Sequence, residues 1–366
     1  MKKHFILLFL IFFVSTNAQV WEDNLLNNNP NASITEKADA FDNYRAKVEY
    51  TKGNGYKPYA RNLDFILQRT SDGKGIPNGK FYTEWLKEKK RFDQHKSTSN
   101  SNWTELGPIN TPIILSNGKK RGNGRINCIA FDPFDKEKIW VGSPGGGLWS
   151  SADGGNTWST NTDGLPVIGV SYIAINPIDP QEMYITTGDA HASDTYSIGI
   201  LKSNDGGQTW DTTGMQFAVT DDKMVNKVII HPTFTDSLFA VTDNNIKISP
   251  DGGQTWSNAL STSGSVLSGY FRDIEFKPNN PNVLYAVKQT TGSSQVYKSS
   301  DRGQTWSVAM NGISTVNRNR PLLAVTPANP NVVYVLFCLN DYGFHGIYKS
   351  TDNADSWTLQ SDSPNI

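Results

Sequence analysis

The octapeptide Ser203-Asn204-Asp205-Gly206-Gly207-Gln208-Thr209-Trp210 constrains this chain more than any other stretch, because near copies of it recur at an almost constant interval. Three further copies run from Ser151 to Trp158, Ser249 to Trp256 and Ser299 to Trp306, and a decayed one from Ser350 to Trp357. The five tryptophans stand 52, 46, 50 and 51 residues apart. A period near fifty is the mark of a repeat architecture, in which each unit buries its apolar face only against its neighbours.

The chemistry of the octapeptide is that of a hairpin turn. Asp153, Asp205, Asp251, Asp301 and Asp352 are placed to accept nearby backbone N–H groups and a hydroxyl, and the glycine two residues on supplies the positive φ of a tight turn. Trp158, Trp210, Trp256, Trp306 and Trp357 then open the next strand, each with a large ring expected to be buried. Identical copies in every unit cannot converge on one site, so these residues are read as fold stabilisers and not as catalysts or metal ligands. The fifth copy has Ala354 and Ser356 in place of Gly and Thr, which predicts the weakest turn of the set.

The pattern S-x-D-x-G-x-T-W resembles the Asp-box, or BNR repeat, of sialidases, sortilin-type receptor domains and several glycoside hydrolase propellers. The phrases Gly124-Arg125-Ile126 leading to Phe131-Asp132-Pro133, Asp194 to Gly199, and Ala324 to Pro330 look like the sortilin-like (VPS10-like) repeat proteins that many bacteria secrete. Each unit follows one plan: strand, Pro-containing turn, strand, variable loop, strand, Asp-box, and a last strand beginning at Trp. In the fourth unit the strands are expected at 273–276, 283–287 and 295–299. The expected fold is therefore all-β, a β-propeller of four-stranded Asp-box blades with at least five complete blades, preceded by a small helical N-terminal segment.

Three regions are expected: a signal peptide over 1–18, a helical segment and linker over 19–100, and the propeller over 101–366. Lys2 and Lys3 precede the apolar run Phe5 to Val14, and Ala18 ends a small-residue exit, the layout of an export signal too short to span a bilayer. The protein is read as secreted or cell-surface. Helical spacing marks 35–50, 63–68 and 81–92, with the charge run Lys87 to Arg91 as a solvated helix end. Trp103 to Pro108 reads as a lone closing strand, and too few residues follow Trp357 to complete its blade, so further C-terminal domains of the same chain are expected. A net charge of −1 excludes nucleic acid and an anionic membrane as general partners. Cys128 and Cys338 lie in separate strand-like runs and are read as buried free thiols.

Blade topology puts the Asp-boxes and the Pro-containing turns at one end, and the loops after each second strand, with the lead-ins to each first strand, at the other. Function carried by loops on a rigid scaffold belongs at that second end. Arg125, Arg272 and Arg320 fall at or just before first strands there, and the loop Gly188 to Tyr196 adds Asp189, His191, Asp194 and Tyr196. These seven are the candidate ligand-binding residues.

Three readings compete for them. As a binding module, which the sortilin resemblance implies, the end would take an extracellular polypeptide or glycan. As a glycoside hydrolase of sialidase or xyloglucanase type, it would use Asp189 or Asp194 as acid, Asp273 as base or nucleophile, and the arginines as an anion clamp. The sialidase Phe-Arg-Ile-Pro signature is absent, however, and the loop that holds a catalytic aspartate in xyloglucanase-type propellers reads Gly142 to Gly146 here, without an acid. No cofactor is expected; a structural calcium held by Asp189, His191 and Asp194 is the third possibility, set against a polar turn that needs no metal.

Overall fold

The computed structural model describes residues 29, 32–47, 63, 80–94, 124–191 and 195–363. The chain divides into two compact units, Met1–Asp93 and Gln94–Ile366. The export signal, residues 64–68, the linker, the Trp103 strand and Asp194 lie outside the described residues.

In the first unit, α1 (Ile34–Arg45) begins at Ser33, whose hydroxyl accepts from Glu36 N while the Glu36 carboxylate accepts from Ser33 N, a reciprocal cap of two orphan donors. It stops at Arg45, short of the expected Tyr50. α2 (Lys80–Gln94) carries Lys87 and Arg91 on exposed i,i+3 pairs with Glu84 and Glu88, so the charge run is a solvated face.

The second unit is all-β. Sheet one holds β1 (Cys128–Phe131), β2 (Ile139–Ser143), β3 (Gly147–Ser151) and β4 (Ser159–Thr160). Sheet two holds β5 (Val170–Ile175), β6 (Met183–Thr187), β7 (Gly199–Ser203) and β8 (Asp211–Gln216). Sheet three holds β9 (Val225–Ile230), β10 (Leu238–Thr242), β11 (Ile246–Ser249) and β12 (Ser257–Asn258). Sheet four holds β13 (Leu260–Ser261), β14 (Tyr270–Phe276), β15 (Leu284–Gln289), β16 (Gln295–Ser299) and β17 (Thr305–Val308), with β13 running parallel to β17 as a fifth strand on the edge. Sheet five holds β18 (Asn319–Val325), β19 (Val333–Cys338), β20 (Phe344–Ser350) and β21 (Thr358–Ser361). Apart from β13, each strand pairs antiparallel with its chain neighbour, and the first strands β1, β5, β9, β14 and β18 contact one another in that order.

The core lies between consecutive sheets. Four of the five box tryptophans reach the core shared with the sheet before them, Trp306 and Trp357 buried and Trp210 and Trp256 half-buried: Trp210 with Trp140, Trp256 with Tyr184, Trp306 with Phe239 and Trp357 with Tyr285. Trp158 departs from the expected burial, at 38% exposed, because sheet one has no preceding sheet among the described residues to receive it. Cys128 and Cys338 are free and half-buried, and burial pushes the Cys128 thiol up to about 12.

The five boxes share one hydrogen-bond pattern. The serine hydroxyl donates to the aspartate at 2.7–2.8 Å, and the Thr or Ser hydroxyl donates to its other oxygen at 2.5–2.6 Å. These bonds to the charged form, the Thr or Ser hydroxyl first, bring Asp153, Asp205 and Asp352 down to about 2. A backbone N–H of every box also donates to the turn between its own first two strands, for example Gly206 N to Gln181 O at 2.9 Å and Asn353 N to Asn331 O at 3.1 Å. Boxes and Pro-containing turns therefore share one end.

The fifth box keeps the serine and aspartate bonds, while its Trp357 Nε1 donates to Ala309 O at 3.0 Å instead of to its own turn as in Trp158, Trp256 and Trp306. Ala354 sits at φ 65, a conformation costly for a residue with a Cβ, but its methyl is fully buried in the core between sheets four and five. At the same place in the fourth box, a Cβ on Gly303 would stand 2.6 Å from the Phe239 ring. At this end the first strands of sheets two to four, with Pro177, Pro232, Pro278 and Phe276, surround an apolar hollow of about 710 Å³.

Candidate functional site

At the opposite end, the first strands share a local irregularity. The ladder between β14 and β15 slips at Arg272, that between β18 and β19 slips across Arg320 and Pro321, that between β5 and β6 slips at Ser171, and that between β9 and β10 slips at Asn226. A bulge leaves one residue unpaired and re-aims its side chain. Ser171, Asn226 and Arg272 each stand six residues before the proline of the following turn, Pro177, Pro232 and Pro278; Arg320 is displaced by one because Pro321 intervenes before Pro327. Arg320 also sits at φ 39, strained backbone of the sort that concentrates at functional positions.

These side chains meet the loop that follows β6. Asp189 is buried there and pairs with Arg125 of the sheet-one lead-in; it also accepts from Asn127 Nδ2 at 3.4 Å and from His191 N at 3.0 Å. The Ser171 hydroxyl donates to Gly188 O at 3.0 Å and accepts from Ala190 N at 3.0 Å. From sheet four, the Tyr270 hydroxyl lies 3.4 Å from Ala190 O and 3.2 Å from Asn226 Oδ1, and Arg272 Nη2 lies 3.5 Å from His191 Nδ1. From sheet five, Arg320 Nη2 donates to His191 O at 2.6 Å. One loop of sheet two is thus fastened to sheets one, four and five.

The structure brings together Arg125, Asp189, His191, Arg272 and Arg320. Tyr196 is half-buried on the same loop, and Asp194 lies outside the described residues. Burial, reinforced by Arg272, pushes His191 below the usual imidazole range, so the ring is neutral and can accept from a guanidinium. Burial also lowers Arg272, with Arg320 adding to the effect.

Sequence reasoning missed Tyr270, Tyr342, Gln289 and Asn226. Gln289 Oε1 accepts from Arg272 Nη1 at 3.0 Å. Tyr342, 65% exposed and at φ 67, lies with its ring 5.4 Å from the Arg320 guanidinium carbon, and the Tyr270 ring is 5.9 Å from that of Arg272. The constant offset from the turn proline marks the bulge, and with it Asn226 and the flanking Tyr270; nothing in the sequence pattern marks Gln289 or Tyr342.

Asp273 points elsewhere. It is 7% exposed, takes Lys227 Nζ at 2.8 Å, and accepts from Leu323 N at 3.0 Å and Ile274 N at 2.9 Å. The geometry gives it and Asp189 structural ion pairs. Asp243, after β10, is a carboxyl that burial raises above its ordinary range. Among the described residues no three His, Cys, Asp or Glu side chains are grouped to hold a metal ion.

Residues 244–365, from just before β11 through β21, match the Sortilin-Vps10 family (sortilin, neurotensin receptor 3). A xyloglucanase from a Paenibacillus species is 27% identical over 215 residues, which cover 50% of this chain and 21% of that protein. A xyloglucanase from Acetivibrio thermocellus is 27% identical over 214 residues, covering 50% and 25%. The chain spans a quarter or less of the length of these curated relatives. Among solved structures, an ancestral GH74 enzyme superposes with a TM-score of 0.52 at 18% identity, over 64% of this chain and 31% of that one. The GH74 enzyme of Niastella koreensis gives 0.50 at 20%, over 65% and 37%. These two likenesses speak for the fold. With an Asp-box closing the third strand of every sheet, the chain is an all-β protein of Asp-box propeller blades, similar over residues 244–365 to the Sortilin-Vps10 family.

Proposed function

We propose that this chain is an extracellular binding module of a larger secreted or cell-surface protein, and that it engages a polypeptide or glycan with the end of the propeller opposite the Asp-boxes. The observation that carries this reading is the tie of the Gly188–Tyr196 loop to sheets one, four and five, which holds Arg272, Arg320, Tyr270, Tyr342 and His191 on one preformed surface. A surface already ordered before the ligand arrives spares the entropy of ordering it on binding. Export rests on the Lys2-Lys3 start and the apolar run behind it. No resident cofactor is needed.

The hydrolase alternative draws on the xyloglucanase relatives. Asp189 and Asp273 are committed to Arg125 and Lys227, so the acid chemistry would fall to Asp194 or to Asp243. A screen of immobilised glycans and extracellular peptides with the secreted protein, run beside Tyr342→Ala and Asp194→Asn, separates the readings. Binding that Tyr342→Ala weakens without a change in melting temperature supports the module. Binding indifferent to Tyr342→Ala and to Arg272→Gln would remove it, and turnover abolished by Asp194→Asn would replace it with the hydrolase.

A further inference from the structure

The cations on the sheets and lead-ins of the propeller are compensated in different ways. Lys227 has Asp273 at 2.8 Å and Glu275 at 2.7 Å, Lys202 has Glu182 at 2.5 Å, and Arg125 has Asp189. Buried Arg318 spends its donors on the carbonyls of Ser294 and Ser314. Like Arg318, Arg272 and Arg320 have no charged partner among the described residues, but these two lie together at His191. Their hydrogen-bond partners among the described residues are Gln289 Oε1 and His191 Nδ1 for the first, and His191 O for the second, all uncharged. The Nε of Arg272 is buried with no partner at all. The carboxylate that Arg272 senses, Asp273, is already taken by Lys227 and two backbone N–H groups. Among the described residues, two adjacent guanidinium groups therefore hold like charges without a counterion of their own, and each retains donors of its planar fork.

What surrounds them narrows the anion. A guanidinium fork matches a carboxylate in two parallel hydrogen bonds. Beside the pair stand the exposed Tyr342 ring on Arg320, held by an irregular backbone, and on the Arg272 side the Gln289 amide and the Tyr270 hydroxyl. The apolar hollow that would suit peptide side chains opens at the other end, among the prolines. Guanidinium, amide, hydroxyl and an open aromatic face are the groups that meet a charged saccharide.

We propose that Arg272 and Arg320 form a carboxylate-binding pair for an acidic saccharide, with the carboxylate of a uronic acid residue across the two forks and its pyranose ring against Tyr342. This rests on the binding-module reading and gives it a ligand class. It involves no bond making; the carboxylate enters as the missing counterion.

The test is a calorimetric titration of the full chain at low salt with tetrasaccharides containing galacturonate or glucuronate. Beside them run the methyl ester of the galacturonate oligomer, a neutral cello-oligosaccharide and a peptide with a free C-terminal carboxylate. The acidic tetrasaccharides are expected to bind, and the ester, Arg272→Gln and Arg320→Gln each to weaken binding roughly ten- to a hundredfold, the equivalent of one charge-assisted hydrogen bond. Arg320→Lys should recover part of the loss, and thermal melts of each variant separate unfolding from lost contact. Equal binding of the ester or the neutral sugar would overturn the carboxylate pair while leaving a glycan-binding module. Tighter binding of the peptide would overturn the saccharide but keep the module. Failure of every probe with folded protein would sink the inference, and the Tyr342→Ala screen above then decides the module by itself.

Discussion

Asp273 of sheet four holds Lys227 of sheet three at 2.8 Å, while its second carboxylate oxygen accepts from Leu323 N of sheet five at 3.0 Å. One carboxylate thus splices three consecutive sheets. Burial alone would lower Lys227, but Asp273, with Tyr172 and Glu275, outweighs it and raises the ammonium above its ordinary range. Asp273→Ala would leave a buried ammonium with Glu275 alone and two orphaned N–H groups. Denaturant unfolding should show a loss of about 3 kcal/mol. A loss below about 1 kcal/mol, the scale of an exposed pair, would refute the splice.

The box glycines predict an asymmetry. Gly303→Ala adds left-handed strain of about 1–2 kcal/mol and drives a Cβ to 2.6 Å from buried Phe239. Overpacking of that kind costs about 1–3 kcal/mol more. Ala354→Gly relieves the same strain but gives up a buried methyl of about 0.8 kcal/mol, so it should change stability by about 1 kcal/mol or less. Equal melting shifts for the two variants would contradict this account.

Acid should unfold the propeller through its boxes. Asp153, Asp205 and Asp352 lie near 2 in the folded chain against 3.8 ordinarily, so the folded state favours their ionised form. The stability they contribute is complete above about pH 4 and disappears as the pH falls towards 2. Thr209→Val removes the hydroxyl that lowers Asp205 most and should flatten this part of the acid-unfolding curve, read by circular dichroism between pH 5 and pH 2. An unchanged slope would show that the boxes do not carry it.

His231 makes a second, separate pH dependence. Its Nδ1 accepts from Thr233 N at 3.2 Å and Phe234 N at 3.0 Å, as Asn176 Oδ1 accepts from Ile178 N and Asp179 N in sheet two. Protonation would destroy that acceptor, and burial followed by Arg302 lowers the imidazole accordingly. With a folded value below the unfolded one near 6.5, the contribution is complete above that value and is lost as pH falls below it. His231→Asn keeps the turn and should remove this slope in melts between pH 7.5 and 5. A slope that survives the substitution would assign it to another group.

The blades were legible because the Asp-box is a local code: serine, aspartate, glycine and threonine within eight residues supply their own partners. The fourth unit's expected strands, 283–287 and 295–299, fall on β15 and β16 for the same reason. The mouth was legible in part. Arg125, Arg272 and Arg320 stand where the blade plan puts lead-ins, but which way Arg272 and Arg320 point depends on a bulge, and the partner of Arg320 is 129 residues away. Asp273 looked available because Lys227 is 46 residues distant, on another sheet. Trp158 looked buried because its octapeptide is intact; burial depends on a neighbouring sheet, which no local pattern encodes.

Because the antiparallel strands of every sheet form a meander of chain neighbours, each sheet can zip up within its own fifty residues, one after another from the amino-terminal side, as the chain leaves the ribosome. The Arg320–His191 bond must wait for sheet five to meet a loop made three sheets earlier. The end opposite the Asp-boxes is therefore the last part of the molecule to acquire its shape, and a nascent chain stalled before sheet five would present well-formed blades in which the His191 carbonyl still waits for Arg320.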